Sequence, residues 1–468
     1  MNHSSTVPAP IGKTYLPYQL KAIRYAIGAK GTILADEMGL GKTVQAIGVI
    51  NALKAMKVLI VCPAGLKLNW KNELDEWLMA IPGQDIQVIS YHAADSADVG
   101  DSEDFPFDLL IVDEAHYIKN PQARRSKAIK HIAKFAKRVL LLTGTPMENR
   151  PVELWPLLQI ACPEEWDPPT NDKTIVPYQK TTHPGEGANF WSFATRYCDL
   201  KRTYFPSRGR RNSAWDFSGA SNLDELRSRL RESCMVRRLK QDVLADLPPK
   251  RRQVIVLPSE GVDDDDLFAD LSEDSYYDVI SKLTAGKVLF EEYSRRRHEQ
   301  ALKKVPHIIE YVNNVLEDND GKIILFAHHQ DVISKLTDAF RDMGHNPLVI
   351  TGKTPVAERS SIVERFQKEK LWRVILCSIG AAGVGITLTA AQTVIFAELD
   401  PVPGRMTQAE DRAHRIGQKG SVLVQHLVSN KSLCARIAKI LVKKQDVLTQ
   451  ALDGPVGGEL IYEEVADG

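Results

Sequence analysis

The stretch from Gly31 to Ile47, Gly31-Thr32-Ile33-Leu34-Ala35-Asp36-Glu37-Met38-Gly39-Leu40-Gly41-Lys42-Thr43-Val44-Gln45-Ala46-Ile47, limits the folds open to this chain more than any other. Thr32 to Ala35 is a short apolar run that predicts a buried parallel strand. Gly39 and Gly41 allow a tight loop whose backbone N–H groups can approach an anion closely. Lys42-Thr43 then opens a helix carrying Val44, Ala46 and Ile47, so a helix N-terminus faces the loop. Strand, glycine turn, Lys-Thr and helix together make a phosphate cradle, in which Lys42 reaches the β- and γ-phosphates and the Thr43 hydroxyl holds Mg²⁺. Asp36 stands where the full pattern has Gly. A Gly-Lys-Thr turn with no ligand is the plain alternative, and the flanking strand and helix weigh against it.

Leu109-Leu110-Ile111-Val112-Asp113-Glu114-Ala115-His116 is the second signal. An apolar strand delivers two carboxylates at its C-terminal end, where open parallel sheets bind ligands. Asp113 suits Mg²⁺, and Glu114 suits orienting and deprotonating a water. Alone the pair reads as a solvated acidic turn; downstream of a phosphate loop it supplies the other half of a nucleotide site. Gln19, in Tyr15-Leu16-Pro17-Tyr18-Gln19 just before the loop, is a candidate reader of the adenine edge. Val139 to Leu142 predicts another strand, ending in the tight turn Thr143-Gly144-Thr145-Pro146, which suits sensing the nucleotide.

At 468 residues the chain holds two or three domains, and a 43% apolar content supplies their cores. Net charge is zero, so any nucleic-acid contact rests on local patches. Six cysteines without a Cys-x-x-Cys argue against a zinc site or a disulfide framework. His328-His329 has no third ligand at metal spacing and reads as structural. Met1 to Pro10 has no apolar signal core, and no apolar run approaches bilayer length. An intracellular, soluble protein of the cytoplasm, nucleoid or nucleus is expected, with no membrane contact.

From Pro151 to about Pro249 strand alternation disappears, which predicts a helical insertion. It carries the basic runs Lys201-Arg202, Arg208-Gly209-Arg210-Arg211 and Arg237-Arg238-Leu239-Lys240, and ends in Leu247-Pro248-Pro249-Lys250-Arg251-Arg252, read as a stiff basic linker. Such runs are usually solvated faces; several together favour a phosphate-backbone surface. Asp263 to Asp266 caps a second helical stretch reaching about Lys304. Alternation of strand and helix then returns, with strands near 323–326, 347–350, 374–377, 393–396 and 422–427, which predicts a second doubly wound domain. Gly380-Ala381-Ala382-Gly383-Val384-Gly385 follows one strand end, where small residues let backbone approach a ligand. Arg412 and Arg415 are three apart, and a helix over 406–415 would put them on one face. Two guanidinium groups there suit charge on a transferring phosphoryl group; the plain alternative is a surface pair engaging Glu410 or Asp411.

Four strings in this order resemble the helicase superfamily with two RecA-like lobes, and within it the Swi/Snf-type DNA-translocating ATPases. They are Asp36 through Thr43, Asp113-Glu114-Ala115-His116, Leu142-Thr143-Gly144-Thr145-Pro146, and Gln408-Ala409-Glu410-Asp411-Arg412 through Arg415-Ile416-Gly417-Gln418. The resemblance runs from about Tyr15 to Leu448 and accounts for Asp36. Arg237 to Leu244 with Leu247 to Lys250 resembles the family's link between lobes. Arg150-Pro151-Val152-Glu153-Leu154 and Phe326-Ala327-His328-His329-Gln330 look nearest the annealing-helicase, fork-remodelling branch. Where the family shows Trp-Asn-Pro this chain has Pro401-Val402-Pro403, so the contact made there is not carried over. Histone readers and fork-recognition repeats of larger relatives are not seen.

The resemblance implies an α/β fold of two RecA-like doubly wound parallel-sheet lobes, each with a helical insertion. Expected boundaries are a tail at 1–10, lobe one at 11–150, a protrusion and linker at 151–250, a second protrusion at 251–305, lobe two at 306–453 and a tail at 454–468. It implies a DNA-dependent ATPase that couples hydrolysis of ATP with Mg²⁺, held between the lobes, to movement along duplex or forked DNA, gripped mainly by its backbone. Nucleotide contacts are expected from Gln19, Asp36, Glu37, Met38, Gly39, Leu40, Gly41, Lys42, Thr43, Gly383, Gly385 and Gln408. Metal contacts are expected from Thr43 and Asp113, and catalytic roles for Lys42, Glu114, Arg412 and Arg415. A monomer without an obligate protein partner is expected. A strand-separating helicase on DNA or RNA, and a nucleotide-gated binding module without turnover, remain as alternatives.

Overall fold

A computed structural model describes residues 7–95, 107–147, 150–166, 188–207, 210–244, 247–248, 250–258, 287–318, 320–382, 386–400, 402–429 and 452. The chain divides into two compact units, Met1–Ala245 with Val447–Val456, and Asp246–Asp446 with Gly457–Gly468.

In the first unit the apolar runs form the strands β1 (Gly31–Leu34), β2 (Lys57–Cys62), β3 (Asp85–Ser90), β4 (Leu109–Asp113) and β5 (Val139–Leu142). With β8 (Met235–Val236) they make a six-stranded sheet in the order β3-β2-β4-β5-β1-β8. Every pairing is parallel. Alternate residues feed opposite faces: Ile33, Leu59, Val61, Leu110, Val112 and Leu141 pack into one cluster, and Leu34, Val58, Ile60, Leu109, Ile111 and Leu140 into another. Helices α1 (Pro17–Gly28) and α2 (Lys42–Leu53) contribute Ala22, Ile23, Ala46, Ile47 and Ile50 to the second cluster. A sheet buried on both faces explains why these strands read as continuous apolar runs rather than alternating ones.

The second unit repeats the plan. Its strands are β9 (Lys250–Leu257), β10 (Lys322–Ala327), β11 (Leu348–Ile350), β12 (Val374–Ser378), β13 (Ala391–Phe396) and β14 (Val422–Ser429), ordered β11-β12-β10-β13-β14-β9. All pairings are again parallel. Ile324, Phe326, Ile375 and Phe396 line one face, and Ile323, Leu325, Val374 and Ile395 the other. The expected pair of doubly wound parallel-sheet units is present.

Four local expectations differ. Lys201–Ser207 and Arg210–Asp216 form an antiparallel hairpin, β6 and β7, inside the region expected to be helical. Its base is packed by Trp215, whose ring lies 5.7 Å from Trp191 and carries the Arg202 guanidinium at 5.6 Å. The supposed linker at Lys250-Arg251-Arg252 begins β9, an edge strand zipped to β14 in register. A single helix, Lys287–Asp318, runs through Pro306 and across the boundary expected near 305. It does so because Ala301, Val305, Ile308, Val312 and Leu316 fall on one face and pack into the sheet. The helix that opens at Pro403 stops at Glu410. Arg412 and Arg415 therefore sit in successive turns, not on a common helix face, and the turns close at Gly417 with φ +99. Asp263 to Asp266, Pro401, Gly383 and Gly385 lie outside the described residues. Among the described residues no helix is long and apolar enough to cross a membrane.

Candidate active site

The phosphate loop leaves β1 at Ala35 and enters α2 at Lys42. Gly39 and Gly41 take φ +84 and +74, a region open to glycine at little cost. A Cβ on Gly41 would also meet Gln19 Nε2 at 2.6 Å. The Leu40 carbonyl at the crest accepts from Tyr18 Oη at 3.0 Å, Gln19 Nε2 at 3.3 Å and Gln45 Nε2 at 3.2 Å. The Gln19 amide is thus placed against the loop, and its oxygen accepts from Leu16 N at 2.9 Å. Lys42 Nζ donates back to Asp36 O at 2.7 Å and Glu37 O at 3.3 Å, so the amine lies across the mouth of its own loop. Thr43 follows it in the first turn of α2. Met38 is buried against the turn after β5: a Cβ on Gly144 would stand 2.3 Å from Met38 Cγ and 3.3 Å from Lys42 Nζ.

β4 brings its acids to the same place. Burial lowers the pKa of the Lys42 amine, and the carboxylates that oppose this are Glu114, Asp36 and Asp113. Asp113 Oδ2 accepts from Trp70 Nε1 at 2.8 Å, and Oδ1 accepts from Glu114 N at 2.8 Å. Burial, with the neighbouring Glu114 charge, raises the Asp113 carboxyl to about 6. Glu114 adopts φ +51, the left-handed region, which turns the chain sharply off the strand. Tyr91 Oη fixes that turn by donating to Asp113 O at 2.7 Å and Glu114 O at 3.2 Å. His116 Nδ1 lies 3.3 Å from Glu114 Oε2.

Asp36 is fully buried and has a partner that its position in the sequence does not announce. Its Oδ2 accepts from Gln45 Nε2 at 3.0 Å and from Arg238 Nη1 at 3.1 Å. Glu37 engages Lys240, whose N donates to Glu37 Oε2 at 2.7 Å. Arg237, Arg238 and Lys240 were read as part of a basic face; they are spent on the loop. The signal that points to them is Asp36 itself, since a carboxylate sealed in a glycine turn requires a cation. Trp70 and Tyr91 were not picked out, and His116 entered only within its motif string without a role, because nothing in the sequence shows which carboxylate or carbonyl their polar atoms meet.

In the second unit Gln408 and Arg412 are buried, and Arg415 is partly exposed. The Arg412 carbonyl accepts from Leu388 N at 2.8 Å. Glu410 and Asp411 belong to β9: Arg252 grips Glu410 with Nε at 2.9 Å and Nη2 at 2.6 Å, and Lys250 Nζ lies 2.8 Å from Glu410 and 3.1 Å from Asp411. Those two acids are thus engaged from β9. His329 Nδ1 meets the buried Glu398 at 2.6 Å, and Glu398 also accepts from the His328 and His329 backbone. This fixes the His328-His329 pair as part of a hydrogen-bonded turn.

The parallel sheet, the glycine turn closed by Lys42 and the acid-ended neighbouring strand define the first unit as a P-loop α/β domain. A family model described as the SNF2-related domain matches residues 18–102 and 82–265, and one described as the helicase conserved C-terminal domain matches residues 303–417. The chain belongs to the SNF2-related family. It is 33% identical over 96% of its length to the SWI/SNF-related matrix-associated actin-dependent regulator of chromatin subfamily A-like protein 1 of Xenopus tropicalis, covering 46% of that protein. It is 35% identical over 96% of its length to the DNA annealing helicase and endonuclease ZRANB3 of Bos taurus, covering 41% of it. The chain spans less than half the length of these two relatives. The Sulfolobus solfataricus SWI2/SNF2 ATPase core in complex with dsDNA aligns over 96% of both chains at 21% identity, with a TM-score of 0.42.

Proposed function

We propose that the first unit binds ATP with Mg²⁺ and that the chain is a DNA-dependent ATPase that tracks along duplex DNA. The observation that carries this reading is that one parallel sheet presents the glycine turn with Lys42 after β1 and the acids Asp113 and Glu114 at the end of β4, two strands away. Family membership supports it, and so does the Bos taurus relative, a DNA annealing helicase and endonuclease by name.

The residues fit the metal. Thr43 and Asp113 offer hard oxygens, the donor type that Mg²⁺ takes with substrate phosphates. Bound there, Mg²⁺ supplies charge to the phosphate oxygens. Lys42 is held by two backbone carbonyls and exchanges these weak neutral partners for anionic phosphate. The loop amides and the α2 N-terminus face the same anion. Glu114, held off the strand by its left-handed turn, is positioned to take a proton from water. Gln19 braces Leu40 and reads adenine by exchanging that carbonyl for the base edge. In the second unit Arg412 and Arg415 are the residues proposed to serve the charge on the transferring phosphoryl group, and Gln408 the one proposed for a nucleotide contact. Asp36, Glu37, Met38, Gly39, Leu40 and Gly41 shape the loop. DNA is gripped by its backbone, with little base readout.

Phosphate release by the full chain, with and without duplex DNA, tests the proposal. Duplex stimulates turnover and Lys42→Ala abolishes it with the melting temperature kept. Turnover indifferent to Lys42→Ala removes the site. Turnover indifferent to DNA removes the partner, and strand release on tailed duplexes without triplex displacement favours a strand-separating helicase.

A further inference from the structure

Beyond the last ladder position of β8 the pairing with the first unit's loop continues by other means. Ala35 N donates to Val236 O at 2.7 Å and Glu37 N to Arg238 O at 2.9 Å. Arg237 Nη1 donates to Ala35 O at 2.9 Å and to Gly144 O at 3.4 Å, touching both the phosphate loop and the turn after β5. Lys240 Nζ is 3.5 Å from Glu37 Oε1. At the centre is Asp36, sealed from solvent, with the Arg238 guanidinium 3.1 Å from Oδ2. Burial raises the Asp36 carboxyl, and Arg238 is the largest of the influences holding it down. Asp36 Oδ1 and Gln45 Oε1 accept no hydrogen bond among the described residues, so Oδ2 alone carries the carboxylate's contacts. A buried carboxylate deprived of its cation is strongly unfavourable, because it has lost water and gained nothing. The loop can keep this shape with an ionised Asp36 only while Arg238 is in place. The chain that bears Arg238 runs on into the second unit, which begins at Asp246.

We infer that Arg238 is a positioning residue for the phosphate loop: through Asp36 it ties the loop to the segment that leads into the second unit. Nucleotide occupancy and the conformation of residues 235–240 are therefore linked, each shifting the other by the same free energy. This rests on the reading of the loop as a nucleotide site given above.

The test uses the full chain with a fluorescent ATP analogue and Mg²⁺, together with amide hydrogen exchange across residues 35–45 measured without nucleotide. Arg238→Gln weakens analogue binding by about tenfold and speeds loop exchange by a similar factor. Adding Asp36→Asn to Arg238→Gln restores most of both, since the orphaned charge is gone; Arg238→Lys falls between. A merely structural role lowers the melting temperature without that rescue. The inference is overturned if Arg238→Gln leaves loop exchange as in the parent chain, or if Asp36→Asn deepens the loss. Should Lys42→Ala bind the analogue as well as the parent, the nucleotide reading fails on its own, and the exchange measurement still decides the Asp36–Arg238 coupling.

Discussion

His116 Nδ1 lies 3.3 Å from Thr143 Oγ1, joining the turn after β4 to the turn after β5. The same nitrogen is 3.3 Å from Glu114 Oε2, and Thr143 Oγ1 also accepts from Thr145 N at 3.2 Å. The carboxylate proposed to handle water and the turn proposed to sense the nucleotide thus share one imidazole. His116→Ala is expected to cut turnover by about tenfold, equivalent to ~1.4 kcal/mol of barrier, while leaving nucleotide affinity near normal. A binding titration beside a steady-state assay measures the split; equal losses in the two would falsify it.

Gly144→Ala probes a close approach between the phosphate loop and the turn after β5. The added methyl meets Met38 Cγ at 2.3 Å, so Met38 must shift, and Lys42 Nζ at 3.3 Å follows. Overpacking of this sort costs about 1–3 kcal/mol, and here it falls on the loop. Nucleotide affinity is expected to drop by about fivefold or more. Calorimetric titration reads it, and an unchanged affinity shows that the loop yields freely.

Glu410→Gln tests the second unit's buried charge cluster. Two cations from β9, Lys250 and Arg252, converge on Glu410, which is 2% exposed. Their ion pairs hold the Glu410 carboxyl well below the usual carboxylate range despite its burial. Removing the charge is expected to cost about 2–3 kcal/mol, less than for a fully buried pair because both cations keep some solvent. Chemical denaturation checks this, with Glu410→Gln shifting one transition to lower denaturant.

Acidification should weaken the second unit through His426. Burial lowers its imidazole to about 4 despite the nearby Glu410, with Arg252 acting in the same direction as burial. Phe396 packs edge-on at 5.3 Å. The unfolded chain takes up the proton near 6.5 and the folded one near 4, so the contribution is full above the higher value and lost as pH falls through the window. The expected loss is on the order of 2 kcal/mol at pH 5. His328 is lowered for a similar reason, so the comparison is with His426→Asn, whose stability should fall less between pH 7 and 5. Parallel curves for the two proteins count against it.

The central strands were legible because burial on both faces makes them apolar throughout: Thr32 to Ala35, Leu109 to Asp113 and Val139 to Leu142 lie within a residue of the strands formed. The edges were not. β8 is two residues long, too short for any periodicity. β9 opens with Lys250-Arg251-Arg252, and these charges suit a strand only because Glu410 and Asp411, distant in sequence, wait beside it. The same blindness hid Arg238. The glycine turn and Lys-Thr announced the loop, but the cation for Asp36 arrives 202 residues later. The turn run through Arg412 and Arg415 keeps a helical spacing in sequence while its acids are drawn to β9, so the helix stops short.

One chain segment ends the first sheet as β8 and enters the second as β9. Their grips differ: β8 holds β1 over two positions, whereas β9 lies beside β14 over eight. The ion pairs at Asp36 and Glu37 therefore add side-chain anchors where the strand pairing is shortest.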